Sequence, residues 1–128
     1  NKQKREVTWK AMEAAVRNGS AREIGVANFT RRHLKELLSY ASITPRVNQL
    51  ELHPYCQQQE LVDYCIEQGV TPMAFSPLAH GELRLLDDPV LKEISAAHKC
   101  TPAQVALRWH IQRGITPIVF STSAARLK

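Results

Sequence analysis

Arg22-Glu-Ile-Gly-Val-Ala-Asn-Phe29 is a short apolar run with Gly25 inside it, and it stops abruptly at Asn28. Ile24 and Val26, framed by helical patterns on both sides, predict a buried strand of a βα repeat. Asn28 falls just past the carboxyl end of that strand. Parallel α/β folds place ligand-binding groups there, because the loops converge while the strands hold them rigidly.

Outward from this run, helices and strands alternate. Thr8 is placed to cap a first helix with Trp9, Met12 and Val16 on one face and Gly19 at its end, and the strand itself is expected over Glu23 to Val26. Thr30 is placed to cap a second helix bearing Leu34, Leu37 and Leu38, and Pro45 separates it from the next strand. Val47-Asn-Gln-Leu-Glu-Leu52 has period two, with Val47, Gln49 and Glu51 on one side and Asn48, Leu50 and Leu52 on the other. Polar residues on a strand face need partners. The side of Gln49 and Glu51 therefore faces either a polar site or a packed interior where such groups satisfy one another.

A third helix is expected from about Gln58 to Gln68, with Leu61, Cys65 and Gln68 on one side and Gly69 at its end. Val70-Thr-Pro-Met-Ala-Phe-Ser-Pro77 reads as a third strand that tolerates Pro72 near its start and brings Phe75 and Ser76 to its carboxyl end. Leu78 to Asp87 has no firm pattern and reads as a surface loop. Asp88-Pro89 starts a helix carrying Val90, Leu91 and Ile94. Thr101-Pro-Ala-Gln104 is a capping box, opening a helix through Val105, Leu107 and Trp109 to Gly114. A fourth strand, Ile115 to about Phe120, precedes Ser121 to Lys128.

Four strands alternating with helices argue for α/β architecture with a parallel sheet. Residues 1–128 have room for a single domain. Four βα units make half of a (β/α)8 barrel, which needs about 250 residues, or alternatively a small open sheet. With 44% hydrophobic and 23% charged residues the composition is that of a globular protein. No apolar run approaches the roughly 20 residues that cross a bilayer. The basic start Asn1-Lys-Gln-Lys-Arg-Glu6 is not followed by an apolar region, so a cytoplasmic chain is expected.

The net charge of +5 comes from 17 Lys and Arg against 12 Asp and Glu. These cations are scattered, with no nucleic-acid module, so nucleic acid is not an expected partner. The same sign of charge suits a pocket for a phosphorylated cofactor or a solvated surface. Cys56, Cys65 and Cys100 are odd in number and form no CxxC pair, which argues against a disulfide framework. His53, Cys56 and Cys65 would make a poor metal set, since Cys65 sits among Leu61, Val62 and Ile66 as a small hydrophobe; no metal site is expected. His33, His80, His98 and His110 read as surface or packing residues, and Trp9 and Trp109 as core.

Four motifs together resemble the C-terminal half of the aldo-keto reductases, and the resemblance covers nearly the whole chain. They are Met12 followed after nine residues by Arg22 to Phe29, then Val47-Asn-Gln-Leu-Glu-Leu-His-Pro-Tyr55, Phe75-Ser-Pro-Leu78 and Leu86-Asp-Asp-Pro-Val-Leu91. The resemblance implies a partial TIM barrel, from the helix before the fifth strand to just after the eighth. It also implies reduction of aldehydes and ketones by hydride transfer from a nicotinamide cofactor, usually NADPH. By that resemblance Asn28 and Gln49 hydrogen-bond the nicotinamide carboxamide, as amide side chains can in both directions. Phe75 stacks on the nicotinamide ring, Ser76 and Leu78 line the pyrophosphate, and Ser121, Thr122, Ser123 and Arg126 hold the adenosine 2′-phosphate. Arginine suits that last role through its planar fork.

Departures from the family pattern carry expectations too. Ala27 stands where Ser or Cys is usual, Phe75 replaces Tyr but keeps the stacking surface, and Val119-Phe120 replaces Pro-Lys. Losing that lysine removes a charge-assisted contact of about 1.5 to 3 kcal/mol, so NADH is admitted beside NADPH. The family's catalytic Asp, Tyr, Lys and His belong to the first four βα units. None of Tyr40, Tyr55 and Tyr64 occupies the catalytic position, so no catalytic residue is assigned. Without that tyrosine a carbonyl oxygen has no proton donor. Two readings follow. One is part of a working carbonyl reductase, taking a small carbonyl substrate once completed. The other is a silent half-barrel that binds a nucleotide weakly or pairs with another half to cover its strand edges.

Overall fold

The computed structural model describes residues 1–81 and 84–126. Glu82 and Leu83, within the loop expected from Leu78 to Asp87, and Leu127 and Lys128 lie outside the described residues. The described residues form five helices and four strands, in the order α1 (Lys2–Arg17), β1 (Val26–Ala27), α2 (Arg31–Leu38), β2 (Val47–Glu51), α3 (Gln59–Glu67), β3 (Thr71–Phe75), α4 (Pro89–His98), α5 (Pro102–Gln112) and β4 (Thr116–Pro117). The strands form one parallel sheet in the order β1-β2-β3-β4, the α/β class read from the sequence. Packing divides the chain into two units, Asn1–Leu50 with Gln58–Pro72, and Glu51–Gln57 with Met73–Lys128.

In the first unit β1 runs parallel to β2, with Val26 opposite Asn48 and Ala27 opposite Gln49. This strand is shorter than expected and starts later, at Val26. The pairing nevertheless reaches back to Ile24, whose carbonyl accepts the Arg46 N–H at 2.7 Å. Gly25 lets the two strands approach: a Cβ there would lie 2.5 Å from Val47 Cγ2 and 2.9 Å from the Val47 carbonyl oxygen. Trp9, Ile24 and Leu37 form one core cluster, and Leu34, Cys65 and Val70 another. Burial pushes the Cys65 thiol up, so it packs as a neutral group.

Helix α1 begins several residues before the expected Thr8. Asn1 provides the cap by accepting the Gln3 N–H, which leaves Thr8 exposed within the helix. The Thr30 cap of α2 is as expected, its hydroxyl accepting from His33 N–H. On α3 Val62 and Cys65 are buried and Leu61 packs on the same core cluster, while Gln68, the residue that caps the helix at its carboxyl end, is exposed.

Glu13 ties α1 to the segment ahead of β2. Its buried carboxylate accepts the Ser42 N–H at 2.6 Å and the Ile43 N–H at 2.9 Å, with Arg17 at 3.2 Å. Burial opposes ionisation, but the Ile43 and Ser42 amides and Arg17 outweigh it and hold the carboxyl below the usual glutamate range. Trp9 Nε1 adds a donor to the Ile43 carbonyl at 3.2 Å.

The second unit is centred on Ala79, Leu85, Leu91 and Ala106. Leu85 draws its segment inward, so the expected surface loop folds into two 3-10 turns, Ala79–Gly81 and Leu85–Asp87, and buries a leucine. Asp88 caps α4 and Thr101 with Gln104 makes the capping box of α5, as read from the sequence. Buried His110 joins α5 to the stretch after β2, with Nδ1 2.7 Å from the Ala106 carbonyl and Nε2 2.8 Å from that of Leu52. Trp109 is only half-buried, its ring covered by the Arg113 guanidinium at 4.2 Å. β4 pairs with β3 only through Thr116 and Pro117, plus the Ile118 N–H to Ala74 O at 2.9 Å. Val119 and Phe120, expected in the strand, are exposed instead.

Two stability outcomes follow from the first unit. Gly25→Ala is expected to lower unfolding free energy by about 1 to 3 kcal/mol in urea denaturation; an unchanged midpoint would show that Val47 gives way freely. Glu13→Gln is expected to cost about 1 to 3 kcal/mol near neutral pH. Because the folded carboxyl titrates below its unfolded value, its contribution is complete above about pH 4.3 and disappears as pH falls through the folded value. The gap between wild type and variant should therefore close in acid, and a gap constant from pH 7 to pH 2 would refute the assignment.

Candidate functional site

The residues singled out from the sequence lie at the carboxyl ends of strands, in two groups, one in each unit. In the first unit, Asn28 follows β1 in the left-handed region, with φ 56°. Asparagine enters that region more readily than other side chains because its short amide can bond locally. The Asn28 N–H donates to the Gln49 carbonyl at 2.8 Å, so both amide residues stand side by side at the strand ends, Asn28 exposed and Gln49 half-buried. Along β2 the residues alternate as expected, with Val47, Gln49 and Glu51 half-buried and Asn48 and Leu50 buried.

In the second unit, Phe75 ends β3 half-buried, its carbonyl accepting the Leu52 N–H at 3.5 Å. Ser76 turns the chain with φ 50°, and its hydroxyl sits 2.6 Å from His80 Nε2. Ser76, Pro77, Leu78, His80, Leu86, Ile118, Val119 and Phe120 line a cleft of about 450 Å3. The Leu78 side chain also packs on the core cluster, so it serves both cleft and core. Phe75 is not part of that lining, nor are Ser121, Thr122, Ser123 and Arg126. Those last four form a tight turn: Ser123 N–H donates to Ser121 Oγ at 3.1 Å, and the Arg126 N–H closes onto the Ser123 carbonyl at 3.0 Å. Arg126 is exposed there, at the end of a 3-10 turn over Ala124–Arg126.

His80 lines the same cleft. Read as surface or packing, it is exposed but bonded to Ser76, and its Nε2 lies 4.0 Å from a Glu51 carboxylate oxygen that is also 3.4 Å from buried His53. Its place four residues after Ser76 was the available signal. Among the described residues no group of three or more His, Cys, Asp or Glu could hold a metal ion, and no helix is long and apolar enough to cross a membrane. Paired strand-end amides such as Asn28 and Gln49 can donate and accept hydrogen bonds toward a ligand.

The model of the aldo/keto reductase family matches residues 2–128. The chain belongs to this family. It is 46% identical over 126 residues to the glyoxal reductase of Bacillus subtilis, the match covering 98% of the chain and 45% of that relative. It is 44% identical over 129 residues to aldo-keto reductase family 1 member A1-A of Danio rerio, covering 94% of the chain and 40% of the relative. Among solved structures, the aldo/keto reductase from Brucella melitensis superposes with a TM-score of 0.92 at 38% identity, over 99% of the chain and 48% of that structure. The chain thus spans less than half the length of each of these aldo/keto reductases. Its four parallel βα units correspond to half of a (β/α)8 barrel.

Proposed function

We propose that residues 1–128 are one partial domain, the cofactor-binding side of an NAD(P)H-dependent reductase that converts aldehydes or ketones to alcohols. The observation that carries this is the left-handed Asn28 at the end of β1, bonded through its N–H to the Gln49 backbone and so set beside a second amide side chain. In this reading Asn28 and Gln49 hold the carboxamide and Phe75 offers its ring face to the nicotinamide. Ser76 and Leu78 line the pyrophosphate, and Ser121, Thr122, Ser123 and Arg126 hold the 2′-phosphate. The nicotinamide, when bound, supplies the hydride. The chain's own residues orient it, and the proton for the carbonyl oxygen comes from the family's tyrosine, tuned by its lysine and histidine, to which no residue here is assigned. The substrate is a small carbonyl compound and the working place the cytoplasm, consistent with three cysteines that are all free.

A second reading, a silent half-barrel that pairs with another half, is favoured by one observation. The sheet order gives β1 and β4 a single strand neighbour each, and such edges invite pairing. Reduction of nitrobenzaldehyde with NADPH by the purified chain would sink that reading.

The first reading is tested by joining the chain behind the catalytic half of the Bacillus glyoxal reductase. The fusion is expected to oxidise NADPH in the presence of an aldehyde, and Asn28→Ala and Gln49→Ala fusions to lose affinity for it; a well-folded fusion without NADPH binding overturns the proposal. Cofactor choice rests on Phe120, which is 91% exposed where the family carries lysine. Phe120→Lys is expected to tighten NADPH by about tenfold and leave NADH nearly unchanged in fluorescence titrations. Equal effects on both cofactors would remove Phe120 from the 2′-phosphate site.

A further inference from the structure

Asn48 is fully buried in β2, and the sequence explains its side of the strand but not its amide. That amide is spent on Phe29. Asn48 Nδ2 donates to the Phe29 carbonyl at 2.8 Å, and the Phe29 N–H donates to Asn48 Oδ1 at 3.3 Å. A carbonyl can only accept and an N–H can only donate, so Phe29 fixes which end of the amide is oxygen. Nδ2 also faces the buried Cys65 sulfur at 3.7 Å.

The backbone ladder between β1 and β2 ends at the Asn28 N–H, which donates to the Gln49 carbonyl. One residue further on, the Asn48 side chain takes over both backbone groups of Phe29. Asn28 is therefore held from both sides while its own φ is 56°, a conformation that costs a non-glycine residue free energy unless its surroundings impose it. Leucine in place of Asn48 would match the volume and leave two backbone groups without partners. Aspartate would keep an acceptor for the N–H and set a negative oxygen against the Phe29 carbonyl.

We propose that Asn48 is a positioning residue for the nicotinamide end of the cofactor: its buried amide clamps Phe29 and thereby holds Asn28 in the turn that presents its side chain to the carboxamide. The proposal rests on the cofactor reading of Asn28. It assigns to Asn48 no contact with the cofactor itself.

The test compares two probes, NADPH and 2′,5′-ADP, the second lacking the nicotinamide, titrated against the purified chain and its Asn48→Leu, Asn28→Gly and doubly substituted forms. Asn48→Leu is expected to weaken NADPH about tenfold and to leave 2′,5′-ADP unchanged. In the Asn28→Gly background the same substitution should have little further effect. Equal weakening of both probes would show a general structural role and overturn the proposal, as would undiminished NADPH binding. A wild-type chain that binds neither probe overturns the cofactor reading and the proposal with it. Amide exchange at Phe29 in the wild type is an independent check, needed if Asn48→Leu does not fold: a protected N–H supports the clamp and a freely exchanging one overturns it.

Discussion

The close approach of β1 to β2 at Gly25 is the constraint on which the Asn28 end of the chain depends. β1 is only two residues long, too few for a ladder to hold by itself, and its pairing relies on contacts just outside it. The Ile24 carbonyl takes the Arg46 N–H on one side and the Asn28 N–H reaches the Gln49 carbonyl on the other. Both require the strands to be closer at Gly25 than any side chain would allow, since a Cβ would sit 2.5 Å from a Val47 methyl. A residue chosen for having no side chain thus sets where two amide side chains stand.

Short strands shift the burden of cohesion to buried polar groups. Glu13 and Asn48 act on the first unit in the same way: each is a side chain that completes the bonding of backbone groups the sheet does not pair, at Ser42 and Ile43 in one case and at Phe29 in the other. In the second unit His110 Nε2, 2.8 Å from the Leu52 carbonyl, links α5 to the stretch after β2. A buried donor or acceptor left without its partner costs about 1 to 3 kcal/mol, so each of these residues is more restrictive than a leucine of the same volume.

What was legible in the sequence follows from how local the signal is. Thr30, Asp88 and Thr101 announced their helices because a cap acts within three residues, and the period-two pattern of β2 gave which of its residues share a side without knowledge of its neighbours. The class of fold followed from that alternation. Elements whose form depends on distant contacts were misread: Leu85 turned an expected surface loop inward, and Val119 and Phe120 lie outside β4. At the candidate site, the motifs gave the positions of Asn28, Gln49, Phe75 and Ser76, while the link between Ser76 and His80 depended on a turn with positive φ at Ser76, Ala79 and His80 that no spacing rule specifies.

The departures from the family pattern are not alike in kind. Ala27 keeps its backbone place opposite Gln49, so what is lost there is one polar side chain and not the geometry of the strand end. Phe75 keeps a ring at the end of β3. Phe120 is different: its apolar ring is almost wholly in water, and nothing in the packing of its unit requires it. A side chain under no packing constraint can change without cost to the fold, whereas Asn28 is held between the Gln49 carbonyl and the Asn48 bonds to Phe29.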